Sequence, residues 1–192
     1  MGAFVREGVR DDVEAVLRIK NATWRTAYRG LLPQDFLDGL SVTRRAVEAW
    51  RGRIGSGAQH LLVGGPAGNP PGETDGEPDG ETAGFSLYGP ARDEGIGGGE
   101  VYAIYVLAGH WSTGLGLALM TRSVERLREL GHREAGLWVL EGNTRARRFY
   151  ERFGFTPSGR AQDVEGMPFP APEVHYRMSL APVSADSADQ TA

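Results

Sequence analysis

A glycine-containing turn between a β-like segment and an amphipathic helix is the feature that most constrains the fold. The turn reads Gly-Leu-Gly at residues 114–116, and two glycines spaced in this way let the backbone turn tightly and approach a ligand closely. An apolar segment over 100–107 precedes it, and helical spacing follows to about residue 130. The unpaired N–H groups at the start of that helix would face the turn, which makes it a candidate anion-binding site.

Two other nucleotide-binding motifs are excluded because the residues they require are missing at the required positions after the glycines. A P-loop requires Lys followed by Ser or Thr after its last glycine, whereas Gly116 is followed by Leu117 and Ala118. The dinucleotide-binding fingerprint requires a small residue three positions after Gly116, where this chain has Leu119. The alternative for the turn is an ordinary glycine-containing connection before a helix, because short glycine motifs are weak signals.

The order of predicted elements favours a mixed sheet covered by helices. Successive strands before the turn favour antiparallel pairing, and the later strand–helix–strand unit favours a parallel pair. Helices are expected over 13–28, from residue 34, over 42–54 with Ser41 as N-cap, from the glycine turn to about residue 130, and after Asn143. Strands are expected at 3–10, 60–63, 83–88, 100–107, 135–140, 155–164 and 173–180.

One domain is expected over residues 1–180, because 192 residues are enough for a single sizeable core. Residues 64–80 are dominated by Gly, Pro, Glu and Asp, which cannot bury much apolar surface, so they are interpreted as a flexible loop insertion. Residues 181–192 are polar and are expected to form a disordered tail.

Composition excludes several classes of site. The chain has no cysteine, which excludes disulfides, thiolate metal ligands and a cysteine nucleophile. Its four histidines are scattered, so no metal is expected, and a net charge of −4 gives no global attraction to nucleic acid or anionic lipid.

The longest apolar run, 101–108, is too short to span a bilayer, and no basic-then-apolar signal segment begins the chain. We therefore expect a cytoplasmic protein without nucleic-acid or membrane partners.

A second motif lies about thirty residues after the glycine turn. Its residues match the pattern Asn-x-x-Ala-x-x-x-Tyr-x-x-x-Gly-Phe at Asn143, Ala146, Tyr150, Gly154 and Phe155. Together with the turn, this motif resembles the GNAT superfamily of acyl-CoA-dependent N-acyltransferases, and the resemblance covers roughly residues 3–180.

The turn departs from the family at one position. In GNAT proteins it follows the pattern Gln/Arg-x-x-Gly-x-Gly/Ala, and here Gly114 and Gly116 match, whereas Trp111 stands where Gln or Arg is usual. The missing polar side chain is a minor departure, because backbone amides make most of the pyrophosphate contacts in the family.

The resemblance implies a GNAT fold of the α/β (α+β) class. Its mixed central sheet would have about six to seven strands, splayed at the cofactor site and flanked by helices. Acetyl-CoA would place its pyrophosphate on the amides of the turn, at the positive end of a helix, and its pantetheine arm would lie beside the preceding strand. The residues implied are Tyr105, Val106, Leu107, Ser112, Thr113, Gly114, Leu115, Gly116, Leu117 and Asn143. Asn143 would also cap its own helix.

Tyr150 is the candidate general acid. The resemblance implies that its hydroxyl lies near the thioester sulfur and protonates the departing thiolate, whereas its spacing from Phe149 and Phe153 is also that of a core residue. Glu100, at the start of the strand leading to the turn, is the candidate general base, acting through water; a solvated strand end is the alternative. Glu141 is a second candidate at an expected strand terminus.

The acceptor site is implied to lie between the first two helices and the last two strands. Trp24 and Tyr28 are four residues apart on one helix face, and they are the expected walls of the site, with plain core packing as the alternative. Three acidic residues near the closing strands could attract a cationic amine, although surface acidity explains them equally well: Asp163, Glu165 and Glu173.

The function implied is N-acetyl transfer from acetyl-CoA to a primary amine of a small molecule or a peptide, by direct attack in a ternary complex. No covalent acyl-enzyme is expected, because no nucleophile–base set is recognisable. Two alternatives stay open, a non-catalytic module that binds or senses acyl-CoA, and an acetyltransferase acting on protein N-termini or lysines. An open acceptor groove would favour a peptide, and a closed aromatic pocket a small amine. A homodimer is possible, as family members are often dimers.

Overall fold

The computed structural model describes residues 2–67, 81–92 and 98–180. Seven strands form one sheet in the order β1-β2-β3-β4-β5-β7-β6. The strands are β1 (Ala3–Glu7), β2 (His60–Pro66), β3 (Gly84–Pro90), β4 (Gly99–Val106), β5 (Glu134–Leu140), β6 (Thr156–Asp163) and β7 (Pro172–Ser179). The α-helices are α1 (Val13–Ala27), α2 (Gln34–Asp38), α3 (Arg44–Gly55), α4 (Leu115–Glu129) and α5 (Thr144–Phe153). Short 3₁₀ turns lie at Arg10–Asp12 and Ala108–His110.

The pairing confirms the predicted mixed sheet. Strands β1 to β4 pair in sequence as antiparallel neighbours, β4 and β5 are parallel across the α4 crossover, and β7 lies between β5 and β6 as an antiparallel partner of both. A parallel pair needs a long crossover connection, whereas antiparallel neighbours can be joined directly. This requirement explains why a helix follows β4 but not β6.

Helices cover both faces of the sheet. On one face, α4 packs its apolar stripe, including Leu119 and Met120, into a core that also contains Tyr150 and Tyr176. On the other face, α1 and α3 cover Leu61, Val63 and Phe85, and a smaller apolar cluster joins α1 and α2 to the loop between β6 and β7. Within the described residues, no helix is both long and apolar enough to cross a membrane.

The sheet splays between β4 and β5, as the resemblance implied. Only two residue pairs join these strands, Gly99 with Ala135 and Glu100 with Gly136, whereas seven pairs join β5 to β7. A bulge accompanies the divergence, because Tyr88 pairs with Val101 and Leu87 with Ala103, so that Tyr102 is the extra residue in β4. Bulges bend a strand and increase its twist, and the rest of β4 is therefore directed away from β5.

Among the wrong boundary predictions are the N-cap of α3, the end of β1 and the start of the loop after β2. The N-cap of α3 is Thr43, whose Oγ1 accepts from the Ala46 N–H, and not Ser41. Strand β1 ends at Glu7 because the chain turns into the 3₁₀ segment that follows.

The third wrong boundary is the start of the predicted loop, since β2 continues to Pro66 and takes in residues 64–66. Gly64 and Gly65 lie there because the backbone packs closely: a Cβ on Gly65 would lie 2.1 Å from the Glu81 carbonyl oxygen. The remainder of the predicted loop, 68–80, and the predicted tail, 181–192, lie outside the described residues.

Candidate active site

A cleft of about 1200 Å³ opens where β4 and β5 diverge. Its walls are β4, the glycine turn, the start of α5, the end of α1, and the segment that joins β6 to β7. A pocket for one drug-sized ligand has a volume of about 300–1,000 Å³. The cleft is therefore somewhat larger than a pocket for one drug-sized ligand.

The glycine turn presents bare backbone N–H groups to this cleft. Gly114 is the N-cap of α4 with a φ of 94°, and Ser112 also has a positive φ of 63°. No side chain caps the helix, and its first turn contains no acidic residue, so these N–H groups and the positive end of the helix dipole are available to an anion. The Thr113 hydroxyl donates to the His110 carbonyl at 2.8 Å, which stabilises the turn itself.

Trp111 and Arg145 form one unit beside the turn. The Trp111 indole N–H donates to the Val106 carbonyl at 2.8 Å, and the Arg145 guanidinium lies 4.2 Å from the centre of a Trp111 ring. This cation–π contact holds a positive charge near the anion site. Arg145 thus supplies, from α5, a cation next to the position where the family usually has Gln or Arg.

The peptide groups of β4 that face the gap belong to Ile104 and Val106. The Leu107 N–H donates to the Ala83 carbonyl beside β3, and peptide groups alternate in direction along a strand, so those of Ile104 and Val106 point away from β3. Tyr105 and Val106 line the cleft as predicted, whereas Leu107 does not, because its N–H and C=O are both bonded within the protein. Ile104 was missed in the sequence, since the bulge at Tyr102 shifts the alternation.

Asn143 caps α5 as predicted. Its Oδ1 accepts from the Ala146 N–H at 3.2 Å, which satisfies one of the free N–H groups at the helix start. The residue also lines the cleft. At the other end, Gly154 adopts a φ of 114° and terminates the helix, so local chemistry fixes both ends of the helix that carries Tyr150.

Tyr28, Tyr105 and Tyr150 line the same cleft. The Tyr28 and Tyr105 hydroxyls lie 3.2 Å apart, and Tyr150 lines the same cleft with only 8% of its surface exposed. Burial raises the pKa of Tyr150 well above its ordinary value, and the neighbouring Tyr105 adds to this. Burial likewise raises the pKa values of Tyr28 and Tyr105. All three hydroxyls are therefore protonated at neutral pH and can donate hydrogen bonds.

Glu100 is buried beside the cleft and does not line it. Only 3% of its surface is exposed, and its carboxylate accepts from the Arg92 backbone N–H at 3.0 Å and from Arg92 Nε at 3.2 Å. Glu100 is therefore not the solvated strand end that was the alternative interpretation. Glu141 is also absent from the lining; its carbonyl accepts from the Arg147 guanidinium at 3.1 Å.

The far end of the cleft is aromatic. Trp24 contacts Tyr28 edge-on, with 5.2 Å between ring centroids, and it also packs against Phe36. Phe36 in turn contacts Phe169 at 5.0 Å, which joins α2 to the segment between β6 and β7. The Lys20 ammonium lies 4.1 Å over the Trp24 ring, and burial lowers the pKa of Lys20.

Two of the three predicted acidic residues line this end. Glu165 and Glu173 do so, whereas Asp163 accepts from the Ala171 N–H at 2.8 Å and stabilises the segment between β6 and β7 instead. No group of three or more metal-ligating side chains occurs among residues 2–67, 81–92 and 98–180.

Most of the predicted site residues come together in the cleft. Those that line it are Trp24, Tyr28, Tyr105, Val106, Ser112, Gly114, Gly116, Leu117, Asn143 and Tyr150. The Leu115 side chain instead packs in the core with 1% exposed, so only its backbone could serve an anion. Arg145, Phe36 and Phe169 were missed, because nothing in their local sequence signals contacts to distant segments.

Comparison with known proteins agrees with this geometry. A family model described as the acetyltransferase (GNAT) family matches residues 48–155. The uncharacterized N-acetyltransferase YuaI of Bacillus subtilis is 29% identical over 140 residues, which cover 72% of each chain.

Two solved structures have the same fold at low identity. The PaiA N-acetyltransferase of Thermoplasma acidophilum, in complex with coenzyme A, superposes with a TM-score of 0.69 at 16% identity and covers 93% of this chain and 99% of its own. YncA, a putative acetyltransferase of Salmonella typhimurium with acetyl-CoA, gives a TM-score of 0.66 at 18% identity, over 98% of this chain and 100% of its own. With the family model matched over more than half of its length, the chain belongs to the GNAT family of acetyltransferases.

Proposed function

We propose that this protein moves an acetyl group from acetyl-CoA to the primary amine of a small molecule by direct attack in a ternary complex. The observation that carries the proposal is the gap between β4 and β5, which opens beside the bare amides of the glycine turn. The matched structures from Thermoplasma and Salmonella contain coenzyme A and acetyl-CoA, respectively, and this supports the same cosubstrate here.

The anionic part of acetyl-CoA would bind to the turn. Backbone N–H groups of residues 112–117 would donate to the pyrophosphate, as helix N-termini commonly do, and Arg145 would add a positive charge beside them. The pantetheine arm would lie in the gap next to Tyr105, and Asn143 would contact it while capping α5. The outward peptide groups of Ile104 and the Val106 N–H would provide hydrogen bonds of the kind that an extra strand uses, whereas the Val106 carbonyl already accepts from Trp111.

In the transfer step, the neutral amine attacks the thioester carbonyl. A C–N bond forms and the C–S bond breaks, and the oxyanion that develops accepts a hydrogen bond from the backbone amide near Val106. Tyr150 donates its proton to the departing thiolate, and the proton that the attacking nitrogen loses as the amide forms returns to the Tyr150 oxygen. Its raised pKa supports this role, because the hydroxyl stays protonated over the working pH range. No covalent acyl-enzyme is part of the proposal.

The amine must lose a proton before it attacks. Glu100 is bound to Arg92 and lies outside the cleft lining, so its proposed role as general base requires a chain of water between its carboxylate and the amine. Its ion pair with Arg92 is a structural role in any case. The pH dependence of kcat/KM in a Glu100→Gln variant distinguishes the role of general base from that of ion-pair partner.

A small acceptor is favoured over a protein by the shape of the aromatic end. Trp24 and Tyr28 line this end, and the contact between Phe36 and Phe169, outside the lining, joins α2 to the segment between β6 and β7. A closed aromatic pocket suits a small amine, whereas a peptide or a lysine on a protein surface needs an open groove.

The test combines binding with turnover. Calorimetry with coenzyme A and a thiol-release assay with acetyl-CoA are run over polyamines, aminoglycosides, amino acids, apolar amines and peptides. We expect coenzyme A binding and amine-dependent thiol release. Binding without turnover on any amine would favour the acyl-CoA-sensing module, and no binding would overturn the proposal.

Gly116→Asp gives a sharp control for the anion site. A Cβ at this position meets its nearest neighbours at 3.9 Å, and an acidic residue in the first turn stabilises a helix by about 0.3–1 kcal/mol. The variant should therefore keep its melting temperature while losing affinity for coenzyme A. Unchanged coenzyme A affinity would show that the pyrophosphate binds elsewhere.

A further inference from the structure

The aromatic end of the cleft also carries a charge pattern that bears on the acceptor. We infer that the acceptor is a small amine with an apolar body and no carboxylate, and that Glu173 receives its ammonium group. This inference rests on the proposed function and specifies the substrate class of the same site.

Glu173 is fixed in position by the sheet. It lies on β7, paired with Leu140 of β5 on one side and with Gln162 of β6 on the other. Its Oε1 accepts from Gln162 Nε2 at 2.9 Å, and both residues line the cleft. The carboxylate is therefore held by neighbouring strands, which suits a binding group better than a mobile surface acid does.

The Glu173 carboxylate lies close enough to the tyrosine pair to affect it. Burial is the largest cause of the raised pKa of Tyr28 and of Tyr105, and the negative charge of Glu173 adds to the rise at both. A carboxylate combined with aromatic faces is a suitable environment for an amine cation.

The walls around this carboxylate are apolar. Trp24 contacts both Tyr28 and Tyr105 edge-on, and other residues lining this end are Leu32, Val164, Met167 and Ala171. These side chains offer dispersion contacts and few hydrogen-bond partners, so they favour an acceptor with an apolar body over a sugar or a polyamine.

The acidic residues that line this end disfavour an acceptor carboxylate, and the Lys20 ammonium over the Trp24 ring does not line the cleft. Glu165 and Glu173 are both acidic. Among the described lining residues, the cations are those at 145, 148 and 152, on or beside the face of α5 that borders the turn, and Arg92, which is engaged with Glu100. A like charge disfavours binding by electrostatic repulsion, so an amino acid should be a poorer acceptor than the amine that lacks its carboxylate.

The test compares phenethylamine with phenylalanine, which differ only in the carboxylate. For the wild-type protein, we expect kcat/KM at least about tenfold higher with phenethylamine. Glu173→Gln keeps the size of the side chain and removes its charge, and it should lower kcat/KM for phenethylamine by about 10- to 100-fold, mainly through KM. The KM for acetyl-CoA should not change.

Two control variants make the result decisive. Glu173→Asp keeps the charge and should retain part of the activity, and Glu48→Gln, on the exposed surface of α3, should behave as wild type. Equal use of the two acceptors, or an unchanged KM in Glu173→Gln, would overturn the inference. If that variant does not fold, the wild-type preference alone decides. Acetylation of other amines only would refute this inference and leave the proposed function intact, whereas no coenzyme A binding would refute the proposed function itself.

Discussion

Replacing Tyr150 with phenylalanine tests the chemical step most directly. The ring contacts Phe149 and Phe155 at centroid distances of 5.5 and 6.2 Å, and phenylalanine keeps these contacts, so the free energy of unfolding should change by about 1 kcal/mol or less. What is lost is the hydroxyl that would donate to the departing thiolate. A hydrogen bond to a charged group contributes about 1.5–3 kcal/mol, which corresponds to a fall in kcat of about 10- to 150-fold.

The assay is thiol release at saturating acetyl-CoA and acceptor, with single-turnover kinetics to confirm that chemistry limits the rate. The KM for acetyl-CoA should stay within about twofold of the wild-type value, because the backbone amides that bind the pyrophosphate are unaltered. Since the pKa of Tyr150 is raised by burial and by Tyr105, the wild-type rate should not fall through deprotonation of this residue below its ordinary pKa of about 10.

A matched control is Tyr176→Phe. Tyr176 is fully buried, and its hydroxyl donates to Glu151 at 2.8 Å and accepts from Arg147 at 3.0 Å, away from the cleft lining. This variant should lose about 1–3 kcal/mol of stability and keep its kcat. An unchanged kcat in Tyr150→Phe, with chemistry shown to be rate-limiting, would refute the role of Tyr150 as the acid.

Three further variants test the architecture of the site. Asn143→Ala removes the cap on the Ala146 N–H and should lower the unfolding free energy by about 1 kcal/mol in denaturant titrations, with a higher KM for acetyl-CoA. Gly114→Ala meets no neighbour within 4 Å but has a φ of 94°, so thermal unfolding should show a loss of about 1–2 kcal/mol from backbone strain alone; a wild-type melting temperature would contradict this. Glu100→Gln should shift the acidic limb of the kcat/KM pH profile, and an unchanged profile would restrict Glu100 to its ion pair with Arg92.

The elements of this fold that could be predicted from the sequence are those fixed by local chemistry. Asn143 and Gly154 mark the ends of α5 because a polar N-cap and a left-handed glycine satisfy free backbone groups. The glycine turn is local in the same sense, since Gly114 supplies the conformation that starts α4. Element order and the direction of strand pairing follow from the lengths of the connections.

Features that depend on strand register could not be predicted. The bulge at Tyr102 depends on how β4 aligns with β3, and it decides that Ile104 rather than Leu107 faces the gap. The ion pair between Arg92 and Glu100 forms only because the ends of those two strands meet. The spacing of residues in the sequence predicts which side chains share a face of a strand, but it does not predict which residue of the neighbouring strand lies opposite each of them.

The contact between Phe36 and Phe169 was beyond prediction for a different reason. It joins segments far apart in the sequence, and neither segment has a periodic pattern that identifies its partner. The same applies to Arg145, whose position over Trp111 depends on how α5 packs beside the turn. The residues at the proposed cosubstrate end could therefore be predicted from motifs, whereas the shape of the proposed acceptor end could not.

The narrow join between β4 and β5 has a consequence for the lifetime of the protein. Two residue pairs hold the halves of the sheet together there, and a bound pantetheine arm would bridge the rest of the seam. Ligand at one hundred times its dissociation constant adds about 2.7 kcal/mol to the folded state. The resistance of this enzyme to proteolysis would then depend on the concentration of acetyl-CoA, and proteases would degrade it faster when acetyl-CoA is scarce.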